Sequence, residues 1–180
     1  ELRSVTIPES ITVIGEYAFS HCSNLKSLYI PSSVTDILAF TFSSCISLES
    51  VNIPDSVVKV GREAFRDCTS IVDIKLPKGL EVISFRLLHR ALNLKTIIIP
   101  DSVKIIEESA FQRTGLTFIK FGRSVQEIQS FGFANNFFLT NITLPRSLKV
   151  IGHNSFLASS LGEIIIPLGV ETIDTQAFAF

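Results

Sequence analysis

Tryptophan and methionine are absent from this chain, tyrosine occurs twice, and histidine and cysteine three times each. Each shortage removes a class of chemistry. The cysteines include no Cys-x-x-Cys pair, so the convergent ligand set of a metal site is missing. There is no Walker-type loop, no Gly-x-Gly-x-x-Gly between a strand and a helix, and no Asp-rich calcium loop, and no cofactor is implied. Charge of one sign is missing too: 16 Lys and Arg against 17 Asp and Glu leave a net charge of −1. A nucleic-acid footprint needs a concentrated basic surface, so no nucleic-acid partner is expected. Long apolar runs are also missing. Ile97-Ile98-Ile99, Phe137-Phe138-Leu139 and Ile164-Ile165-Ile166 each end within a few residues at Pro, Asn, Thr or a charge. A spanning helix needs about 20 apolar residues, so a mean hydropathy of +0.41 encodes no membrane span here. No basic segment followed by an apolar stretch opens the chain as a signal peptide would. A chain without methionine that starts at Glu1 is expected to be a piece of a longer protein, cut within a repeat at both ends.

What is present is apolar and periodic. Hydrophobic residues make up 46% of 180, including 15 Phe, which excludes intrinsic disorder. Aligning the prolines that follow a short apolar segment gives Pro8, Pro31, Pro54, Pro77, Pro100, then Gly122 in the same slot, Pro145 and Pro167. The steps are 23 residues, with two of 22. With Pro as position 1, position 4 is Ile11, Val34, Val57, Leu80, Val103, Val125, Leu148 and Val170, and position 7 runs from Ile14 to Ile173, always Ile or Val. Position 12 is Phe19, Phe42, Phe65, Leu88, Phe111, Phe133, Phe156 and Phe178. Both short units lose one residue after this position, so length varies on one flank only. About eight copies in one register make residues 1–180 a single repeat array.

Each unit reads as one turn of a solenoid. Leu-x-x-Ile-x-Ile alternates as a strand does, and Pro ends it because it lacks the N–H that a ladder needs. Ser-Val-x-x-Ile-Gly predicts a second extended segment, and Ala-Phe-x-x-Cys a helical or 3₁₀ turn that drops Phe inward. One coil cannot bury its own apolar side, so neighbours stack, and eight coils at about 4.8 Å span roughly 35–40 Å.

The unit Ile-Pro-x-Ser-Val-x-x-Ile-Gly-x-x-Ala-Phe-x-x-Cys-x-x-Leu-x-x-Ile-x-Ile, matched most closely by Ile53 to Leu76, resembles the BspA-type leucine-rich repeat. The resemblance implies a right-handed leucine-rich-repeat solenoid with a curved parallel sheet on its concave face. It also implies a cell-surface or secreted protein, linked to adhesion, matrix-protein binding and immune recognition.

Among residues that could carry chemistry, Cys22, Cys45 and Cys68 share one column and are expected to be buried free thiols, since the count is odd and Ala91 interrupts the column. His21, His89 and His153 occupy different positions of the unit, cannot form a relay, and are expected at the surface. No enzyme is expected. Binding residues should be those that alternate with the buried strand positions. One file is Ser4, Ser27, Ser50, Asp73, Thr96, Phe118, Asn141 and Glu163; the next is Thr6, Tyr29, Asn52, Lys75, Ile98, Lys120, Thr143 and Ile165. The candidate partner-binding set is Tyr29, Asn52, Lys75, Ile98, Phe118, Lys120 and Ile165, with Ile98 and Phe118 as neighbouring apolar anchors on adjacent coils. The expected partner is a host or matrix protein or another surface macromolecule; the competing reading is a spacer that projects another domain. The sequon Asn141-Ile142-Thr143 falls in an expected strand, which argues against its glycosylation. Phe137 and Phe138 serve either an interface or flank packing. Phe178-Ala179-Phe180 would leave an apolar end able to self-associate.

Overall fold

The computed structural model describes residues 2–179; Glu1 and Phe180 lie outside the described residues. Each unit folds into one coil that opens with a turn. The carbonyl of the unit's Pro accepts the position-4 amide at 3.0–3.2 Å, from Ile11 to Pro8 through Val170 to Pro167. The turn delivers the chain into two-residue strands: β1 (Val13–Ile14), β3 (Asp36–Ile37), β5 (Lys59–Val60), β7 (Val82–Ile83), β9 (Ile105–Ile106), β11 (Glu127–Ile128), β12 (Val150–Ile151) and β13 (Thr172–Ile173). The Leu-x-x-Ile-x-Ile segment that closes the unit supplies β2 (Ser27–Tyr29), β4 (Ser50–Asn52), β6 (Asp73–Lys75), β8 (Thr96–Ile98) and β10 (Phe118–Lys120). Pairing is parallel with a register of one unit, as in Ile14 opposite Ile37 and Val51 opposite Ile74. The two-residue strands form sheets β1-β3-β5 and β7-β9-β11-β12-β13; the three-residue strands form β2-β4-β6 and β8-β10. The result is a parallel β-solenoid of about seven turns.

The expected helical or 3₁₀ turn is not there: among the described residues the structure has no helix. From position 10 to 15 the amides alternate instead. Tyr17, Phe19 and His21 donate to carbonyls of the next unit, Ala39, Thr41 and Ser43, at 2.8–3.2 Å. Ala18, Ser20 and Cys22 donate within the unit, to Gly15, Tyr17 and Phe19. The cross-unit triplet recurs down the array to Asn154, Phe156 and Ala158, which donate to Thr175, Ala177 and Ala179. A helix would turn every amide back on its own coil; alternation requires peptide planes that reverse. Positions 10 and 14 supply the reversal with left-handed backbones, φ 49–63°, at fifteen residues of which none is glycine. Such conformations cost roughly 1 kcal/mol or more each. The third hydrogen-bonded ladder that they create offsets that cost.

The core follows the columns. Phe42, Phe65, Phe111, Phe133 and Phe156 are fully buried, and consecutive rings stack 5.1–5.5 Å apart with near-parallel planes, from Phe19 on Phe42 to Phe156 on Phe178. The stack breaks at unit 4, where Leu87 and Leu88, both fully buried, stand in for the missing ring, while Phe85 stays half-buried under the Arg86 guanidinium. A further tie was not read from the sequence. The position-3 serine hydroxyl donates back to the preceding unit, as Ser33 to Ile11, Ser56 to Val34 and Ser147 to Val125, at 2.6–2.8 Å.

Gly122, which replaces Pro at the start of unit 6, is dictated by contact. A Cβ there would lie 2.1 Å from the Pro100 carbonyl oxygen. Restoring the repeat's usual residue with Gly122→Pro is therefore expected to destabilise the array by about 1–3 kcal/mol. A urea titration checks this, and a raised midpoint would show that the backbone shifts freely at this seam.

Candidate functional site

The outward residues of the three-residue strands form the two files expected from alternation. Ser27 stands opposite Ser50, Tyr29 opposite Asn52, and these opposite Asp73 and Lys75. Thr6 bridges to Tyr29. On the second sheet Phe118 stands opposite Thr96, and Lys120 opposite Ile98. Ile98 and Phe118 are thus diagonal neighbours, and the residue directly beside Ile98 is Lys120. Diagonal positions lie about 7–8 Å apart, within reach of a phenyl ring. Three large apolar side chains stand well out of this surface: Tyr29 is 65% exposed, Ile98 64% and Phe118 54%.

The structure groups Tyr29, Asn52 and Lys75 on one sheet and Ile98, Phe118 and Lys120 on the other. It does not bring Ile165 into either. Ile165 is 88% exposed, but residues 163–166 form no strand. The same correction applies to the sequon: Asn141-Ile142-Thr143 is not in a strand, and the Asn141 amide group is exposed, donating only to the neighbouring Thr140 hydroxyl. The three-residue ladder therefore stops at β10. Beyond it lies a cleft of about 720 Å³ between residues 118–123 and 141–146, and a second of about 770 Å³ between 141–146 and 163–169.

Along the flank, four cations are paired across units: Lys78 with Asp55, Lys104 with Glu81, Arg123 with Asp101 and Lys149 with Glu171, at 2.7–3.1 Å. The hydrogen bonds from Arg123 hold the Asp101 carboxyl below the usual range, and those from Lys78 do the same for Asp55. Lys75 and Lys120, on the strand face, form no salt bridge among the described residues. The basic residues of unit 4 do not act as a group: Arg90 meets Asp67 at 3.3 Å, Arg86 covers Phe85, and Lys95 lies 4.9 Å from the Phe138 ring centre. That last contact belongs to a flank patch where Phe137 and Phe138 are each 60% exposed.

Cys45 and Cys68 are buried and Cys22 half-buried, all as free thiols. Each buried sulfur donates to the Phe carbonyl of the preceding unit, Cys45 to Phe19 and Cys68 to Phe42, at 3.1 Å. Burial pushes the Cys45 thiol up to about 12 and the Cys68 thiol higher still. The thiolate is the reactive form. A disulfide-exchange reagent at pH 8 is therefore expected to leave Cys45 and Cys68 untouched in the folded protein and to count three thiols after denaturation. Rapid reaction of all three in the native state would contradict the column as described.

The histidines need one correction: only His21 is exposed, while His89 and His153 are half-buried. Burial, with Arg86, Arg66 and Arg90 acting in the same direction against Asp67, lowers His89 to about 4, so it is neutral near pH 7. Among the described residues no group of three His, Cys, Asp or Glu could hold a metal ion, and no helix is long and apolar enough to cross a membrane.

Known proteins match this geometry. A leucine-rich cell surface protein of Faecalibacterium prausnitzii superposes with a TM-score of 0.78 at 29% identity, over 86% of this chain and 42% of that one. A T. pallidum leucine-rich repeat protein gives 0.75 at 29% identity, over 79% and 70%. A leucine-rich repeat protein of Eubacterium ventriosum gives 0.79 over 87% and 43%, at 23% identity, which speaks to the fold alone. The chain thus spans less than half the length of two of these structures. No curated protein matches the sequence. The sequence model of the BspA type leucine rich repeat region matches residues 1–114 and 83–180, in six copies, and no enzyme family is indicated. The chain belongs to the BspA-type leucine-rich repeat family.

Proposed function

We propose that this array is a non-enzymatic binding module of a cell-surface or secreted protein, engaging a protein partner through the face formed by β2, β4, β6, β8 and β10. The observation that carries the reading is the group of large apolar side chains left exposed on this face, Tyr29, Ile98 and Phe118. Lys75 and Lys120 stand beside them and form no salt bridge among the described residues. A cluster of large exposed apolar groups with free charge at its edge suits a partner site, where a few aromatic and apolar anchors carry most of the affinity. The cell-surface relative in Faecalibacterium prausnitzii supports the location.

Ile98→Ser combined with Phe118→Ala is expected to weaken binding to a captured partner, from a panel of immobilised matrix proteins, at least tenfold, about 1.4 kcal/mol. Both side chains point outward, so the melting temperature should hold. Unchanged affinity with an unchanged melt removes the face from consideration and favours the spacer reading.

A further inference from the structure

We propose that the cleft between β10 and residues 141–144 is a strand-insertion site for an extended, acidic segment of a partner protein. Of the three hydrogen-bonded ladders that join neighbouring units, only one opens here. Between units 5 and 6, β9 still pairs with β11, and Ser109, Phe111 and Arg113 still donate to Ser130, Gly132 and Ala134. The units therefore stay docked while their strand segments part. Among the described residues no backbone hydrogen bond joins 118–121 to 141–144. One edge of β10 is taken by β8, and the other faces the cleft, as do the unpaired main-chain groups of 141–144. Unpaired edges of this kind are templates for an added strand.

One residue lining this cleft departs from its column, Phe121. Its column is otherwise aliphatic: Ile7, Ile30, Ile53, Leu76, Ile99, Leu144 and Ile166. The larger ring packs edge-on against Phe133, with centres 5.6 Å apart and planes at 78°, and lines the cleft. Charge selects the occupant: Lys120, Arg123 and Arg146 line the cleft against one carboxylate, Asp101, which Arg123 already engages. Lys120 and Arg146 form no salt bridge among the described residues. Apolar walls at Phe121 and Ile142 suit alternate small apolar side chains.

The probe is a capped hexapeptide, Glu-Val-Glu-Val-Glu-Val, titrated by fluorescence anisotropy against the folded chain. Saturable binding is expected, with at least tenfold loss for the Lys-Val counterpart, for the peptide N-methylated at alternate amides, and for Arg146→Glu. Hydrogen exchange should be fast at Ile119, Phe121 and 141–144 in the free protein and slow in the complex, while Phe118 and Lys120, turned toward β8, stay protected in both. No binding, full binding of the N-methylated peptide, or slow exchange at Ile119 and Phe121 in the free protein overturns the proposal. Ile98→Ser, which probes the strand face proposed above, should leave peptide affinity unchanged; a loss equal to that of Arg146→Glu would assign the peptide to that face and overturn insertion.

Discussion

Phe133→Ala is expected to lower the unfolding free energy by about 3–5 kcal/mol, the range for truncating a fully buried phenyl ring. Phe133 stacks between Phe111 at 5.1 Å and Phe156 at 5.5 Å, and carries the edge of Phe121 at 5.6 Å. In a one-dimensional array each coil is stabilised by its neighbours, so the cavity weakens two interfaces at once. For a chain of this size each kcal/mol moves the midpoint by about 2–4 °C, so a fall of at least ~6 °C is expected by calorimetry. Phe19→Ala is the internal control, because Phe19 is half-buried with one ring neighbour, Phe42. Equal losses for the two substitutions would mean that the stack is not what couples the coils.

Asn136→Ala should cost about 2–5 kcal/mol despite removing only a small polar group. Asn136 is fully buried in the thiol column. Its Nδ2 donates to the carbonyls of Phe111 at 3.0 Å and Phe133 at 2.7 Å, and its Oδ1 accepts from the Thr114 amide at 3.1 Å and from the Thr114 hydroxyl. Alanine leaves these groups buried without partners, and each orphaned group carries a desolvation cost. Asn136→Cys should recover part of the loss, since a thiol here would donate to the Phe111 carbonyl as Cys45 does to Phe19. Thr114 would still be left unmatched. Urea midpoints in the order wild type, Cys, Ala check the account, and an Ala variant as stable as wild type would refute it.

Asn136 also shows where legibility ended. The column is visible because Cys22, Cys45 and Cys68 recur every 23 residues, and Asn136 occupies the same slot further along. That Cys45, Cys68 and Asn136 each bond a Phe carbonyl was not visible, because the acceptor lies on the main chain and has no letter. The serine at position 3 was passed over for the same reason. The outward face of the three-residue strands stood at the other extreme. Side chains alternate strictly along a strand, so both outward files, from Ser27 and Tyr29 to Phe118 and Lys120, were assigned from spacing alone. Ile165 and Asn141 were assigned by the same spacing and lie off the ladder, since alternation says which way a side chain points and nothing about whether a neighbour is close enough to pair.

The amino-acid sequence by itself determined the repeat, the stacking register and the division of residues between core and surface, because these follow from an apolar pattern recurring every 22–23 residues. Only the tertiary structure decided how the coil turns and where it opens. The position-10 and position-14 residues include Tyr17, Glu63, Arg86 and Ala158, which share no chemistry that announces a left-handed backbone. They adopt it because the next coil offers carbonyls to their amides. The cleft beside β10 likewise has no letter in the sequence: the apolar spacing continues at Leu139, Ile142 and Leu144, yet the segments do not pair, because pairing depends on how closely two packed coils bring their main chains.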